Sequence, residues 1–237
     1  MGMYEAGRQS GFSLVIFDCD GVLIDSEIIS ARMLVAELAK LGVVIDLDYV
    51  AQNFLGRSYP TVMKQIRTEF GLTLPDSFEE AYREALLAAF QRDLKVVPHV
   101  RDVLKKIGVP FCVATSSSPR RAAISLDLAG LNGLVGDRLF TASLVPAGKP
   151  APDLFLLAAE RMGADPARTL VIEDSLTGIR AGLAAGMTVW RFVGASHLGP
   201  ATPPEPPDAT PHRRLVSFDS FFQIAPDLQK VPPTHDR

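Results

Sequence analysis

Two aspartates, Asp18 and Asp20, directly follow an apolar segment, Leu14–Phe17, and precede Gly21. Successive side chains of a strand alternate between its faces, so carboxylates spaced i, i+2 leave the backbone on the same side. Two carboxylates held so close repel each other, and one resists ionisation unless a cation or a proton lies between them. A bare Asp-x-Asp is most often a pair of solvated loop acids. Here the preceding buried strand, the glycine and the following helix indicate a functional pair. Binding of a divalent metal and a phosphate ester would explain why two acids are held so close together.

A second pair of acids, Glu173 and Asp174, follows another apolar segment, Leu170–Ile172, and precedes Ser175. Acids in this position can simply cap a helix. Two acid-bearing strand ends in one sheet, however, indicate a shared site, because ligands bind outside the carboxyl ends of parallel strands. Carboxylate and carbonyl oxygens without histidine or cysteine suit Mg²⁺. The sequence therefore predicts a magnesium site.

Two further segments carry groups that bind anions. An apolar strand runs into Thr115-Ser116-Ser117-Ser118-Pro119, where hydroxyls and free N–H groups at a helix N-terminus form an anion site. These serines could equally do no more than cap the helix that Pro119 begins. Lys149 lies between a glycine and a proline, and taken alone it is typical of a solvated loop charge.

Strand–helix alternation after residue 98 predicts an α/β fold with a doubly wound, Rossmann-like parallel sheet that helices cover on both faces. The first strand is predicted at residues 13–17, whereas residues 44–95 are predicted to be purely helical. We therefore predict a catalytic core of residues 12–25 and 97–225 and an inserted all-helical cap of residues 26–96. A last strand or helix is expected within residues 215–224, and residues 1–11 and 226–237 are predicted to be flexible termini.

The composition excludes several classes of partner. A formal net charge of −3 over 237 residues provides no basic field, so we expect no nucleic acid. No apolar stretch approaches the length of a membrane span, so we expect no membrane either. Residues 1–11 contain no hydrophobic segment, and we expect no secretory signal. Cys19 and Cys112 lie in apolar segments without metal or redox spacing, which favours buried thiols in a reducing cytoplasm.

The order of the four motifs resembles that of the haloacid dehalogenase superfamily of aspartate-nucleophile phosphohydrolases. The resemblance lies in Phe17–Ser26, Thr115–Pro119, Gly148–Asp153 and Ile172–Gly182, within a region from Ser13 to Phe192. The helical insert after the first motif is similar to the cap of the β-phosphoglucomutase-like and phosphoglycolate-phosphatase-like branch. The resemblance implies a Mg²⁺-dependent phosphatase that hydrolyses a small phosphate monoester, such as a sugar, sugar-acid or polyol phosphate, through an aspartyl-phosphate.

The resemblance also implies a role for each motif residue. Asp18 is expected to attack phosphorus. Asp20 is expected to protonate the leaving alcohol and then to activate water, which requires a pKa high enough to hold that proton. The expected metal ligands are Asp18, the main-chain carbonyl of Asp20 and Asp174, with Glu173 close by. The expected phosphate-binding groups are Lys149, the N–H of Ser117, and a hydroxyl that is either Thr115 or, as the position of Pro119 favours, Ser116.

Two alternatives to the phosphatase stay open. A phosphosugar mutase of the β-phosphoglucomutase type has a hinge histidine where this chain has Ser30 and a cap-loop arginine where it has Tyr59, so the mutase is disfavoured. Arg57 could still bind a substrate group, or be only a solvated charge. A non-catalytic phosphoacceptor or ligand-binding domain is the alternative of another class, and a binding module would not need Asp20. The expected partner is a small phosphorylated metabolite, because a closing cap excludes polymers, and the chain is expected to be a monomer or weak dimer.

Overall fold

One parallel sheet positions every motif named above. The computed structural model describes residues 11–54, 56–73, 75–198 and 204–231, and within them the strands belong to a single six-stranded sheet. The strands are β1 (Leu14–Phe17), β2 (Phe111–Thr115), β3 (Leu139–Thr141), β4 (Thr169–Glu173), β5 (Thr188–Phe192) and β6 (Arg213–Leu215). They run in the spatial order β3-β2-β1-β4-β5-β6, and all neighbours are parallel. The predicted fold class is confirmed.

Helices connect the strands and cover both faces of the sheet. They are α1 (Glu27–Ala39), α2 (Leu47–Asn53), α3 (Tyr59–Phe70), α4 (Asp76–Asp93), α5 (Val100–Lys106), α6 (Pro119–Leu128), α7 (Asn132–Val135), α8 (Asp153–Arg161), α9 (Leu176–Ala184) and α10 (Phe221–Ile224). Residues 215–224, predicted to form a strand or a helix, contain both the end of β6 and α10. Among the described residues, no helix combines the length and the apolar composition that crossing a lipid bilayer requires.

The alternation of side chains along the strands divides the core into two layers. On β1, Val15 and Phe17 belong to one buried cluster, which includes residues of α5, α6 and α10. Leu14 and Ile16 belong to the cluster on the opposite face, which includes residues of α8 and α9. Because both faces of the strand are buried, β1 is apolar throughout rather than alternating.

The register of β1 determines where the first acid pair lies. Phe17 is paired with Val113 of β2 on one side and with Ile172 of β4 on the other. The residues that follow these positions therefore leave the sheet together at its carboxyl edge. Asp18 is the first residue after β1, and its N–H donates to the carbonyl of Ile172 at 2.9 Å.

Helices α1 to α4 form the helical cap, which has a hydrophobic cluster of its own built from residues between Leu34 and Phe90. The chain leaves and re-enters the core through two adjacent segments. Ile24 and Val96 form an antiparallel bridge, and the N–H of Val97 donates to the carbonyl of Leu23 at 3.0 Å. The predicted cap boundaries, residues 26 and 96, adjoin this paired connection.

The expectation that residues 226–237 are flexible is wrong for residues 226–231. Leu228 is 1% exposed and belongs to the core cluster on the α5 face. The N–H of Gly108 donates to its carbonyl at 2.7 Å, and Lys230 donates to the carbonyl of Lys106 at 2.8 Å. The buried side chain of Leu228 and these main-chain hydrogen bonds together hold the segment against the core. Residues 1–10 and 232–237 lie outside the described residues.

We predict that Leu228→Ala lowers the free energy of unfolding by about 2–5 kcal/mol, because it removes a buried side chain and leaves a cavity. Urea denaturation measures this change. Val231→Ala is the matched control, since Val231 is 85% exposed, and it should change stability by less than about 0.5 kcal/mol. Equal, small effects of the two variants would contradict the docking of this segment.

Candidate active site

Lys149 lies between two of the predicted site carboxylates. Its Nζ donates to Asp18 Oδ1 at 2.5 Å, to Glu173 Oε1 at 2.7 Å and to the carbonyl of Ala114 at 3.1 Å. The side chain is buried. Burial lowers the pKa of Lys149, but Asp18 and Glu173 outweigh burial and raise the pKa above its usual value. Lys149 is therefore a fixed positive charge rather than a solvated loop lysine.

Asp20 has a different set of partners. The hydroxyls of Ser26 and Ser117 each donate to its carboxylate at 2.6 Å, and Arg121 Nη2 donates at 2.8 Å. Burial acts to raise the pKa of Asp20, but Arg121 and the hydroxyl donors outweigh it, and the pKa is lowered. The expectation that the pKa of Asp20 is high enough to hold a proton is thus wrong for this arrangement. Arg121, which lowers this pKa, belongs to none of the four motifs and was not foreseen.

The hydroxyls of Thr115, at the end of β2, and of Ser116, just after it, face different partners. Thr115 is buried, and its Oγ1 lies 3.3 Å from Asp20 Oδ2, with the N–H of Ser117 donating to Oγ1 at 3.0 Å. Ser116 Oγ instead donates to the carbonyl of Gly56 in the cap at 3.3 Å. Of the two hydroxyls left open by the sequence, Thr115 therefore faces the carboxylates together with the Ser117 hydroxyl, and the preference for Ser116 is corrected. Pro119 begins α6 as expected, but it does not determine which hydroxyl faces the site.

Three acids are arranged as a metal site would be. Oxygen atoms of Asp18, Glu173 and Asp174 lie within 4.8 Å of one another, and all three side chains are buried. Burial is the main cause that raises the pKa of Asp18 and of Asp174, and Glu173 adds to it while Lys149 opposes it. The side chain of Asp20 lies outside this group.

The donor set fits a divalent cation such as Mg²⁺. Lys149 and Arg121 contact three of the four buried carboxylates, Lys149 pairing with Asp18 and Glu173 and Arg121 with Asp20, so acidic groups outnumber these two cations. Asp174 Oδ2 is buried and makes no aligned hydrogen bond within the described part of the chain, although His197 Nε2 lies 2.9 Å from it. Hard oxygen donors without sulfur favour Mg²⁺ over softer metals.

Gly21 allows the first motif to approach these acids. Its φ of +78° lies in the left-handed region, and a Cβ at this position would overlap the carboxylate of Asp174. Both constraints favour glycine. The turn after Asp20 is thus packed directly on the end of β4.

A cavity of about 620 Å³ lies between the carboxylates and the cap. Arg57 lines it, is exposed, and donates to Gln65 at 2.9 Å. Tyr59 also lines it, with a buried hydroxyl that has no partner in the described part of the chain and a ring stacked on Tyr82. Glu27 faces the same space, and burial with the nearby Asp20 charge raises its pKa to about 7.

Three groups in or beside the site were missed in the sequence. Arg121 is the third residue after Ser118, the N-cap of α6. The signal available in the sequence was a positively charged residue at the start of a helix with no acid close to it in sequence. Ser26 ends the first motif without an assigned role, but its hydroxyl donates to Asp20 and makes no cap hydrogen bond. His197 lies in the loop after β5 with Nε2 2.9 Å from Asp174 Oδ2, and no spacing pattern signals it.

Comparison with known families agrees with this geometry. A model of the haloacid dehalogenase-like hydrolases matches residues 12–186, which is well over half of the chain. The chain belongs to this family. The match spans all four motifs and the helical cap.

Characterised relatives and solved structures resemble the chain over most of its length. A 6-phosphogluconate phosphatase of Escherichia coli K12 is 28% identical over 223 residues, covering 94% of this chain and 96% of that protein. A phosphorylated carbohydrates phosphatase of Thermotoga maritima is 31% identical, covering 77% and 85%. The crystal structure of a hydrolase of this family from Deinococcus radiodurans R1, with bound phosphate and sodium, is 31% identical with a TM-score of 0.70, covering 94% of this chain and all of that one.

We predict that Asp174→Asn stabilises the metal-free protein while weakening metal binding. The raised pKa of Asp174 means that its charged form is disfavoured in the fold, so a neutral side chain of equal size should relieve repulsion. Differential scanning calorimetry in EDTA should give a melting temperature higher by about 2–4 °C at pH 7, corresponding to roughly 1 kcal/mol.

Addition of Mg²⁺ should then raise the melting temperature of the wild type but not that of Asp174→Asn. Asp165→Asn is the control, because Asp165 is an exposed N-cap residue before β4, and it should keep the wild-type response to Mg²⁺. A metal-free Asp174→Asn protein that is less stable than the wild type would contradict the repulsion argument.

Proposed function

We propose that the protein is a Mg²⁺-dependent phosphatase that hydrolyses a small phosphate monoester through an aspartyl-phosphate on Asp18. The observation that carries the proposal is the position of Asp18, which Lys149 holds at the base of the cavity beside Glu173 and Asp174. The family and the printed names of the relatives support a phosphatase acting on phosphorylated carbohydrates. A related structure holds phosphate and sodium, which supports an anion and a cation bound together.

In this proposal Asp18 is the nucleophile, and the surrounding groups bind the phosphoryl oxygens. Lys149 is fully charged and aligned by two acids, so it can stabilise the negative charge that is spread over those oxygens in the transition state. Thr115 offers a hydroxyl at the same strand edge. Asp18, Glu173 and Asp174 would hold Mg²⁺, which would offset the repulsion between the carboxylates and the phosphate.

Asp20 is proposed as the general acid and base. As described, its carboxylate is ionised and accepts three strong hydrogen bonds, which suits a base that activates water. Protonation of the leaving alcohol first requires that Asp20 carry a proton. Release of Arg121 would raise the pKa of Asp20, because Arg121 is the largest of the contacts that lower it. A substrate anion that binds Arg121 would have this effect.

The cavity supports a metabolite rather than a polymer as substrate. Its volume of about 620 Å³ accommodates a sugar, sugar-acid or polyol phosphate, and the cap helices bound it on the side opposite Asp18. This side of the cavity carries charged side chains that are available to bind hydroxyls or a carboxylate of the substrate, namely Arg57, Arg83 and Glu27. The cytoplasmic location and the monomeric or weakly dimeric state stay predictions.

The central test is phosphate release from a panel of small phosphate monoesters with and without Mg²⁺. We predict that Asp18→Asn abolishes turnover, because an amide cannot form the acyl-phosphate, and that Asp20→Asn lowers kcat by about 10²–10⁴-fold. Asp48→Asn is the control, since Asp48 lies in the first turn of α2 away from the cavity lining, and it should retain wild-type rates. Full activity of Asp18→Asn would refute the mechanism.

The same assay distinguishes the alternatives. Isomerisation of glucose 1-phosphate in the presence of a bisphosphate primer, without net phosphate release, would establish the mutase despite Ser30. Binding of phosphate esters without either reaction would favour the non-catalytic domain. Metal-dependent phosphate release excludes both as the main activity.

We predict that Arg57→Ala discriminates between substrate classes. A charged hydrogen bond contributes about 1.5–3 kcal/mol, so KM for a phosphorylated sugar acid should rise roughly 10–100-fold while that for the neutral sugar phosphate changes little. Steady-state kinetics on the two substrates measures the difference. Arg92→Ala is the matched control, because Arg92 is a solvent-exposed arginine of α4 outside the cavity lining. Equal changes for both substrates would show that Arg57 does not read the acid group.

A further inference from the structure

His197 contacts the candidate metal site from outside the four motifs. Its Nε2 lies 2.9 Å from Asp174 Oδ2, and the side chains are 7% and 3% exposed. Neither atom is aligned in a hydrogen bond, and neither has another partner among the described residues. Buried polar groups are seldom left without a hydrogen bond. A hydrogen bond between Nε2 and Oδ2 would satisfy both groups.

The loop that carries His197 is fixed to the first motif. Ser196 donates to Asp25 Oδ1 through its N–H at 3.1 Å and through its hydroxyl at 2.8 Å. Ala195, next to it, is buried in the core. A Cβ on Gly21 would overlap both the carboxylate of Asp174 and the ring of His197, so the turn, the acid and the imidazole are packed together. The position of His197 is therefore set by the same residues that form the site.

The contact with Asp174 indicates which nitrogen of His197 carries a hydrogen. A neutral imidazole has one N–H and one acceptor nitrogen. Since Asp174 offers an acceptor to Nε2, the tautomer with hydrogen on Nε2 fits this contact.

We propose that His197 is a positioning residue of the metal site, donating from Nε2 to Asp174 Oδ2 so that the other carboxylate oxygen is held for the cation. The inference rests on the proposed Mg²⁺ site. Ligating carboxylates are commonly hydrogen-bonded by an outer residue, and loss of that residue weakens metal affinity by about 10–100-fold. The alternative is a histidine that only fills space beside Gly21.

Two variants of similar bulk separate these roles. His197→Gln keeps an N–H donor at a comparable reach, whereas His197→Met fills space without a donor. Mg²⁺ affinity is measured by isothermal titration calorimetry on the full chain without substrate, with Mn²⁺ binding followed by electron paramagnetic resonance. We expect His197→Met to raise Kd by about 10–100-fold and His197→Gln to stay within a few-fold of the wild type. His99→Asn is the control, because His99 is exposed and its φ of 66° suits asparagine.

The outcomes separate this inference from the proposed function. Wild-type Kd in His197→Met, with normal Mg²⁺ binding by the wild type, overturns the role of His197 and leaves the phosphatase proposal intact. Equal weakening in the methionine and glutamine variants shows that the shape of the ring matters rather than its N–H, and also overturns it. Absence of Mg²⁺ and Mn²⁺ binding by the wild type overturns both proposals. Selective weakening in His197→Met supports the inference.

Discussion

The burial of several carboxylates around one ammonium group is the constraint on which this structure depends. Asp18 and Glu173 both contact Lys149, and Asp174 lies within reach of each acid. Removing charges from water is unfavourable unless they are paired and hydrogen-bonded, and Lys149 alone cannot balance three acids. The arrangement is therefore incomplete as a purely structural ion-pair network. Protonation of the acids whose pKa values are raised, or the cation of the proposed Mg²⁺ site, would balance the remaining charge.

The fold meets this constraint by bringing backbones unusually close at the carboxyl edge of the sheet. Gly178, in the first turn of α9, has its Cα so near the carboxylate of Glu173 that a Cβ would overlap it. Gly21, in the turn after the neighbouring strand β1, approaches Asp174 in the same way. Close packing leaves little room for water, and electrostatic interactions are stronger where water is excluded. Gly21 and Gly178 therefore affect the strength of the electrostatic interactions in the site as well as its packing.

The sequence was informative where a local pattern coincides with a topological rule. Asp18, Glu173 and Asp174 follow apolar strands, and parallel strands place such ends together, so their convergence could be predicted. Arg121 lies 101 residues after Asp20, and His197 lies in a loop, so neither contact follows from a local period. Thr115 and Ser116 are adjacent, and only the direction in which the strand ends decides which one faces the acids. Tertiary packing also determined that Leu228 is docked.

The contacts of Arg121 connect the state of Asp20 to the position of the cap. Arg121 extends from the core helix α6, donates to Ser30 of α1 at 3.1 Å, and lies 5.2 Å from the ring centroid of Phe90 in α4. Both partners belong to the cap, whereas the carboxylate that Arg121 pairs with belongs to the core. Any movement of the cap relative to α6 therefore changes the contacts that hold the guanidinium. Because that guanidinium lowers the pKa of Asp20, such a movement would also change the proton affinity of Asp20.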